Sequence, residues 1–149
     1  MRTRFLLLLI LCVGLWLNGY RVTAQDQNAL HTPTKGSAER KAIMDALRDE
    51  YLKGSGQRVI FEVNHLKVHQ GWAWADVTPL DNKGKPVGEG GPNLLHYEKG
   101  AWVVADLSGV EEDPNDPLGP MDPTPRYIKN LQKKFPGVPA DIFPAHRQK

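Results

Sequence analysis

Apolar residues recur at helical spacing in one stretch of the chain, between residues 37 and 53. The members of this stripe, four residues apart, are Ile43, Leu47 and Tyr51. Charged residues occupy most of the other positions, so the pattern predicts one amphipathic helix over residues 37–53. Ser37 can cap its N-terminus, and Gly54 is a typical C-terminal stop.

The next stretch, residues 54–107, changes to the alternating pattern of β-strands. The predicted strands are residues 57–69, 72–80, 93–98 and 101–107. In the first strand the apolar positions change parity after Val63, which predicts a β-bulge near Asn64 and His65. Short turns rich in Gly, Asn and Asp separate the strands, and such short connections indicate antiparallel neighbours.

Beyond residue 107 the composition becomes rich in proline and acidic residues. Residues 111–117 predict a solvated connector, because prolines exclude a central strand there. Thr124 followed by Pro125 predicts the cap and first position of a short second helix. Apolar residues between positions 138 and 143 predict a tail that docks on the rest of the protein.

Together these elements predict an α+β protein. The architecture is one long helix packed on a bent four-stranded antiparallel sheet, with a short C-terminal helix and a Pro-rich tail. On the second strand, Ala73 and Ala75 share one face, and they are small enough to let the helix approach. Trp72, Trp74 and Asp76 share the opposite face.

The first 24 residues have the layout of a secretory signal peptide. Arg2 and Arg4 precede an apolar run over residues 5–17, and Ala24 is the small residue at a cleavage point. The run is shorter than the roughly 20 residues needed to span a bilayer. The sequence therefore predicts a cleaved signal and an exported protein, periplasmic or extracellular.

Cleavage of the predicted signal peptide changes the cysteine content and the net charge of the chain. Cys12 is the only cysteine, so the exported chain is expected to be disulfide-free and cannot use a cysteine nucleophile. The full chain has a net charge of +2. The signal carries basic residues and no acidic ones, so the remainder is close to neutral, without the basic face of a nucleic-acid binder. The expected organisation is a signal peptide at 1–24, a flexible leader at 25–36 and a single domain at 37–149, divided into a core roll at 37–107 and a Pro-rich extension at 108–149.

Three segments carry a resemblance to a known architecture, and their sequences are ERKAIMDALR, FEVNHLKVHQGWAWADVTP and LLHYEKGAWVVADL. They resemble the cystatin-like or NTF2-like α+β roll, in which a helix packs in the concave face of a bent antiparallel sheet. The resemblance covers residues 37–107. It does not imply protease inhibition, because residues 57–61 (QRVIF) lack the glycine of the Gln-x-Val-x-Gly hairpin. That fold group contains both enzymes and binding modules, so the fold alone does not select a function.

Aromatic residues of the sheet are the first candidate site. Trp72 and Trp74 point the same way, with Tyr97 and Trp102 as neighbours, and together they predict a contact surface for a peptide, a glycan or another protein. The competing interpretation places these rings in the core. If the rings form a contact surface, the protein is a non-enzymatic exported binding or accessory domain of unknown ligand.

The alternative hypothesis is a small hydrolase or isomerase with a pocket in the roll. Asp76 would be the base, and His65 or His96 would assist it. His65 and His69 lie four residues apart on one strand, about 13 Å, and cannot bind one metal unless the bulge is severe. Either histidine could instead join His96 or Asp76 across the sheet as a zinc ligand. The sequence predicts no metal, no cofactor and no nucleic-acid or membrane partner after signal cleavage. It leaves the ligand and the oligomeric state open.

Overall fold

The predicted helix is α1, which spans Ala38–Ser55. The hydroxyl of Ser37 accepts a hydrogen bond from the backbone N–H of Arg40 at 3.2 Å, as its role of N-cap requires. The expected stop at Gly54 is wrong by two residues. The helix ends at Gly56, whose φ of 72° gives the left-handed cap and whose N–H bonds the carbonyl of Leu52.

The structure, a computed structural model, describes residues 28–146. The predicted signal peptide, residues 25–27 and residues 147–149 lie outside the described residues. Within 28–146 no helix is long and apolar enough to cross a membrane.

Four antiparallel strands form one sheet in the order β1-β2-β3-β4, which confirms the predicted α+β architecture. The strands are β1 (Ile60–His69), β2 (Trp72–Leu80), β3 (Gly91–Glu98) and β4 (Ala101–Val104). β3 begins two residues earlier than predicted, and β4 ends three residues earlier. After Val104 the chain leaves the ladder and turns toward the acidic connector.

The predicted β-bulge is confirmed in β1. Val63 pairs with Val77, but the next paired residue is His65, opposite Asp76, so Asn64 is the extra residue. Because the bulge shifts the parity, the apolar residues before and after it stay on the face that packs against α1. It also brings His65 to the opposite face, beside Asp76.

The sheet is covered on both faces. On one face the α1 stripe packs against the small residues of β2, as predicted, and the buried members are Ile43, Met44, Leu47, Leu66, Val68, Ala73, Ala75, Val77, Leu95 and Trp102. On the other face a second cluster contains Trp72, Trp74, Leu94, Tyr127, Leu131, Val138, Ile142 and Phe143. Each fully buried large side chain of this kind contributes about 1.5–3 kcal/mol. The C-terminal part of the chain therefore forms a layer that covers the second face of the sheet.

Helix α2 spans Pro125–Lys134 and supplies much of that second layer. Thr124 caps it by accepting the N–H of Tyr127 at 3.0 Å, and Pro125 occupies its first turn, both as predicted. The tail after α2 docks through Ile142 and Phe143, which are almost fully buried. The prediction of a docking apolar tail is thus confirmed.

His31 attaches the described part of the predicted leader to the sheet. Its backbone exchanges two hydrogen bonds with Val68 of β1, at 2.9 and 2.8 Å. Its ring also contacts the carboxylate of Glu39 on α1 at 2.7 Å. The segment is polar, yet at His31 it is paired with the sheet, because the open edge of β1 offers unpaired backbone groups.

Candidate functional site

The tryptophans of the sheet are buried. Trp72, Trp74 and Trp102 are 8%, 1% and 6% exposed. They therefore lie in the core and do not form the exposed contact surface that the sequence predicts. Trp74 lies against Phe143 with ring centres 4.7 Å apart. Trp72 lies between His96 and Phe135, at 4.2 and 6.0 Å. The periodicity assigned Trp72 and Trp74 to one face but could not show that the tail covers that face.

Trp102 and Tyr97 do not extend that surface. Trp102 belongs to the core under α1, and the half-buried Tyr97 packs against it with ring centres 5.4 Å apart. The four aromatic residues are therefore divided between the two sides of the sheet.

Of the three catalytic candidates, the structure brings two together. His65 and Asp76 are direct neighbours across β1 and β2. His96 is paired with Trp72 at the other end of the same face, and four residues along a strand is about 13 Å. His96 is therefore not a neighbour of Asp76 and does not line the cavity that Asp76 lines.

The convergence of His65 and Asp76 occurs at an open cavity of about 610 Å³. We call it the bulge cleft, and its lining residues are Asn64, His65, Asp76, Leu118, Met121, Asp122, Pro144 and Ala145. The strands supply a polar wall. The connector and the tail supply a largely apolar wall, in which Leu118 and Met121 are 45% and 60% exposed.

Asn64, the extra residue of the bulge, organises the polar wall. Its side-chain amide donates to a carboxylate oxygen of Asp76 at 3.3 Å and contacts the hydroxyl of Thr78 at 3.1 Å. Bulges commonly re-aim side chains next to functional sites. Here the bulge places an amide, an imidazole and a carboxylate side by side.

The ring of His65 has a defined orientation. Its Nε2 lies 2.9 Å from the backbone carbonyl of Ile142, and a carbonyl only accepts, so Nε2 carries the proton. In the neutral ring Nδ1 is then the acceptor. His69, four residues further along β1, contacts the carboxylate of Asp141 at 2.8 Å. The two histidines thus bond separate residues of the tail.

Next to the bulge cleft lies a second group of polar side chains, from Asp116, Asp122 and His146. One ligand atom from each lies within 4.8 Å of the others. Nδ1 of His146 and a carboxylate oxygen of Asp122 are 3.2 Å apart, and these side chains are 22% and 17% exposed. Sequence reasoning missed this group, because the three residues span 30 positions of the chain in no recognised spacing.

Asp113 holds the connector that carries Asp116. The expectation of a fully solvated connector is wrong at this residue, which is 9% exposed. Its carboxylate accepts the N–H of Asn115 and the hydroxyl of Thr124, both at 3.0 Å. The hydrogen bond from Asn115, helped by that from Thr124 and opposed by burial, lowers the pKa of the Asp113 carboxyl.

Comparisons with known proteins add no relative. No protein-family model, no curated protein and no solved structure matches the chain. The function must therefore be inferred from the geometry of the cleft and its surroundings.

Proposed function

We propose that this protein is a small exported binding or accessory domain, built on a cystatin-like or NTF2-like roll, whose ligand occupies the bulge cleft. The observation that carries the proposal is the convergence of Asn64, His65 and Asp76 on one open cavity. The proposed contact site thus moves from the buried tryptophans to the cleft beside them.

The chemistry of the cleft suits an amphipathic ligand. Its volume of about 610 Å³ lies within the usual 300–1,000 Å³ range of small-ligand sites. Asn64 and Asp76 offer hydrogen-bonding groups on one wall, while Leu118 and Met121 offer apolar surface on the other. A short peptide segment, with polar backbone and apolar side chains, matches both walls. A sugar, with its polar rim and apolar face, is the second probe to test.

The experiment is a fragment screen by NMR with dipeptides and monosaccharides. Binding fragments are expected to shift the amide signals of residues 64–66, 76–78 and 118–122. Met121→Glu should abolish these shifts by placing a charge on the apolar wall. Val103→Glu is the matched control, since Val103 is 50% exposed and lies outside the cleft. Shifts that map elsewhere, or that survive Met121→Glu, would refute the proposal.

The alternative function, a small hydrolase or isomerase, is favoured by one observation. His65 and Asp76 line the same cavity, where a carboxylate base and an imidazole can act on one substrate. In that case a compound that binds the cleft should be recovered chemically changed. Asp76→Asn should stop the conversion while leaving binding within about threefold. If every ligand is recovered unchanged, the hydrolase or isomerase hypothesis is refuted and only the binding function remains.

Export has its own test. The exported protein should have the mass of a chain that begins at Gln25, after loss of residues 1–24. A mass that includes Cys12 would show that the signal is retained, and would overturn the predicted cleavage without affecting the cleft.

A further inference from the structure

We propose that Asp116, Asp122 and His146 form a binding site for a divalent transition-metal ion, with zinc as the preferred ion. The inference goes beyond the binding function of the cleft and does not rest on it. It rests on the spacing of the three side chains, on the way the fold holds them and on the type of their ligand atoms.

The spacing is close to that of a metal centre. Zinc binds imidazole nitrogen and carboxylate oxygen at about 2.0–2.2 Å, so two ligand atoms of a tetrahedral site lie about 3.3 Å apart. His146 and Asp122 already have this separation, at 3.2 Å. The atoms of the whole group lie within 4.8 Å, so the Asp116 carboxylate needs to approach by at most about 1.5 Å. A change of side-chain rotamer can supply such a movement.

The fold holds the backbone positions that carry the two carboxylates close to each other. Asp122 directly follows the 3-10 helix Gly119–Met121. Asp116 is bonded through its N–H to the carbonyl of Asp113 at 3.0 Å, and the buried Asp113 is bonded in turn to Thr124 at the start of α2. Both carboxylates are thus anchored to the same capped helix end, and His146 comes to them on the docked tail.

The ligand atoms select the class of metal. Calcium and magnesium prefer sites made of oxygen atoms alone, whereas an imidazole nitrogen favours zinc and related transition metals. Two carboxylates and one neutral imidazole balance the charge of a divalent cation. Three protein ligands also leave a fourth position for water or another molecule, as in catalytic rather than structural zinc sites.

The group lies between two cavities, so a ligand bound in either cavity can reach the fourth coordination position of the metal. Asp122 also lines the bulge cleft, and Asp116 and His146 line an adjoining cavity of about 750 Å³. A ligand in either cavity would lie beside the bound ion. An oxygen-bearing group, such as a carboxylate, is the natural partner for the open position.

A protonated His146 between two carboxylates is the competing explanation for the same geometry. The two explanations differ in what calorimetry detects. A metal site is expected to give saturable zinc binding with a fixed stoichiometry. An ion pair alone would give no saturable zinc binding.

The experiment is calorimetric titration of the chelator-treated protein with zinc chloride. We expect one site per chain with a dissociation constant at or below the micromolar range, unaffected by a large excess of calcium. His146→Ala and Asp116→Asn should each weaken zinc at least tenfold. His69→Ala is the matched control: His69 also pairs with an aspartate, Asp141, but among residues 28–146 it belongs to no three-residue group of this kind.

Circular dichroism of each variant establishes that it folds. Asp116→Asn is the safer of the two, since it removes the charge and keeps the shape. The proposal is overturned by the absence of saturable zinc binding below 1 mM. It is equally overturned if folded His146→Ala or Asp116→Asn binds like the wild type, or if His69→Ala weakens binding as much as His146→Ala.

Discussion

Nε2 of His65 donates a hydrogen bond to the backbone carbonyl of Ile142, 2.9 Å away, across 77 positions of the chain. The bond joins the bulged strand of the sheet to the tail that covers its second face. It also fixes the imidazole that borders the bulge cleft. One contact thus links the position of the tail to the shape of the candidate site.

Removing this contact should loosen the tail. His65→Ala leaves the carbonyl of Ile142 without its donor, and an unsatisfied buried carbonyl costs about 1–3 kcal/mol. Urea unfolding followed by circular dichroism should show a loss in this range. His65→Gln, whose amide can donate from a similar distance, should recover part of it; equal losses in both variants would mean that this hydrogen bond contributes little.

Trp74 should be among the costliest residues to truncate. It is 1% exposed and packs against Phe143, so Trp74→Ala is expected to lower the free energy of unfolding by about 3–5 kcal/mol. Val103→Ala, at a half-exposed position, should change it by less than about 0.5 kcal/mol. Indole emission from the wild type should be strongly blue-shifted. Emission near that of free tryptophan would contradict the burial.

Two neighbouring glycines should respond in opposite directions to alanine. Gly54 lies inside α1 in helical conformation with open space around it, so Gly54→Ala should stabilise the protein by about 0.5–1 kcal/mol. Gly56 has a φ of 72°, so Gly56→Ala should destabilise it by about 1 kcal/mol although nothing lies in the way. Thermal unfolding of both variants measures the difference. Effects of the same sign would contradict the position of the cap.

Acid should weaken the protein partly through Asp113. Its pKa is lower in the folded chain than in the unfolded chain, chiefly because it accepts the N–H of Asn115. The stabilisation is therefore complete above the unfolded pKa of about 3.9 and is lost as the pH falls through the lower folded value. Asp113→Asn should reduce the slope of stability against pH below 4.

The control for this pH series is Asp49→Asn, at an exposed position of α1. A change of slope common to both variants would not report on the hydrogen bonds of Asp113. If Asp113→Asn also leaves the slope unchanged, the carboxylate is not held by the hydrogen bonds described above. Asp45 and Asp106, whose pKa values are also lowered, contribute to the slope that remains in Asp113→Asn.

Most of the fold could be predicted from local signals. The stripe of α1, the alternation of β2, the parity change at Asn64 and the Thr124–Pro125 start of α2 each depend on residues within a few positions of one another. The helix stop was misplaced because both Gly54 and Gly56 can end a helix. In the structure Gly56 adopts the left-handed cap, and the local sequence does not distinguish it from Gly54.

The candidate site could be predicted only in part. Alternation assigned Trp72, Trp74 and Asp76 to one face, but it contains no information on what covers that face. The cover comes from residues 125–143, far along the chain. The grouping of Asp116 with His146 depends on the same docking, so no spacing in the sequence could have indicated it.

The covering of the sheet by the last part of the chain has a consequence for the order of folding. Helix α1 and the four strands are complete by residue 104, and each strand pairs with the strand that follows it in sequence. Synthesis begins at the N-terminus, so these elements are available before residues 125–143 exist. Until those residues are made, the indole rings of Trp72 and Trp74 face water. A nascent chain of this protein therefore exposes an apolar surface until residues 125–143 are synthesised and cover it.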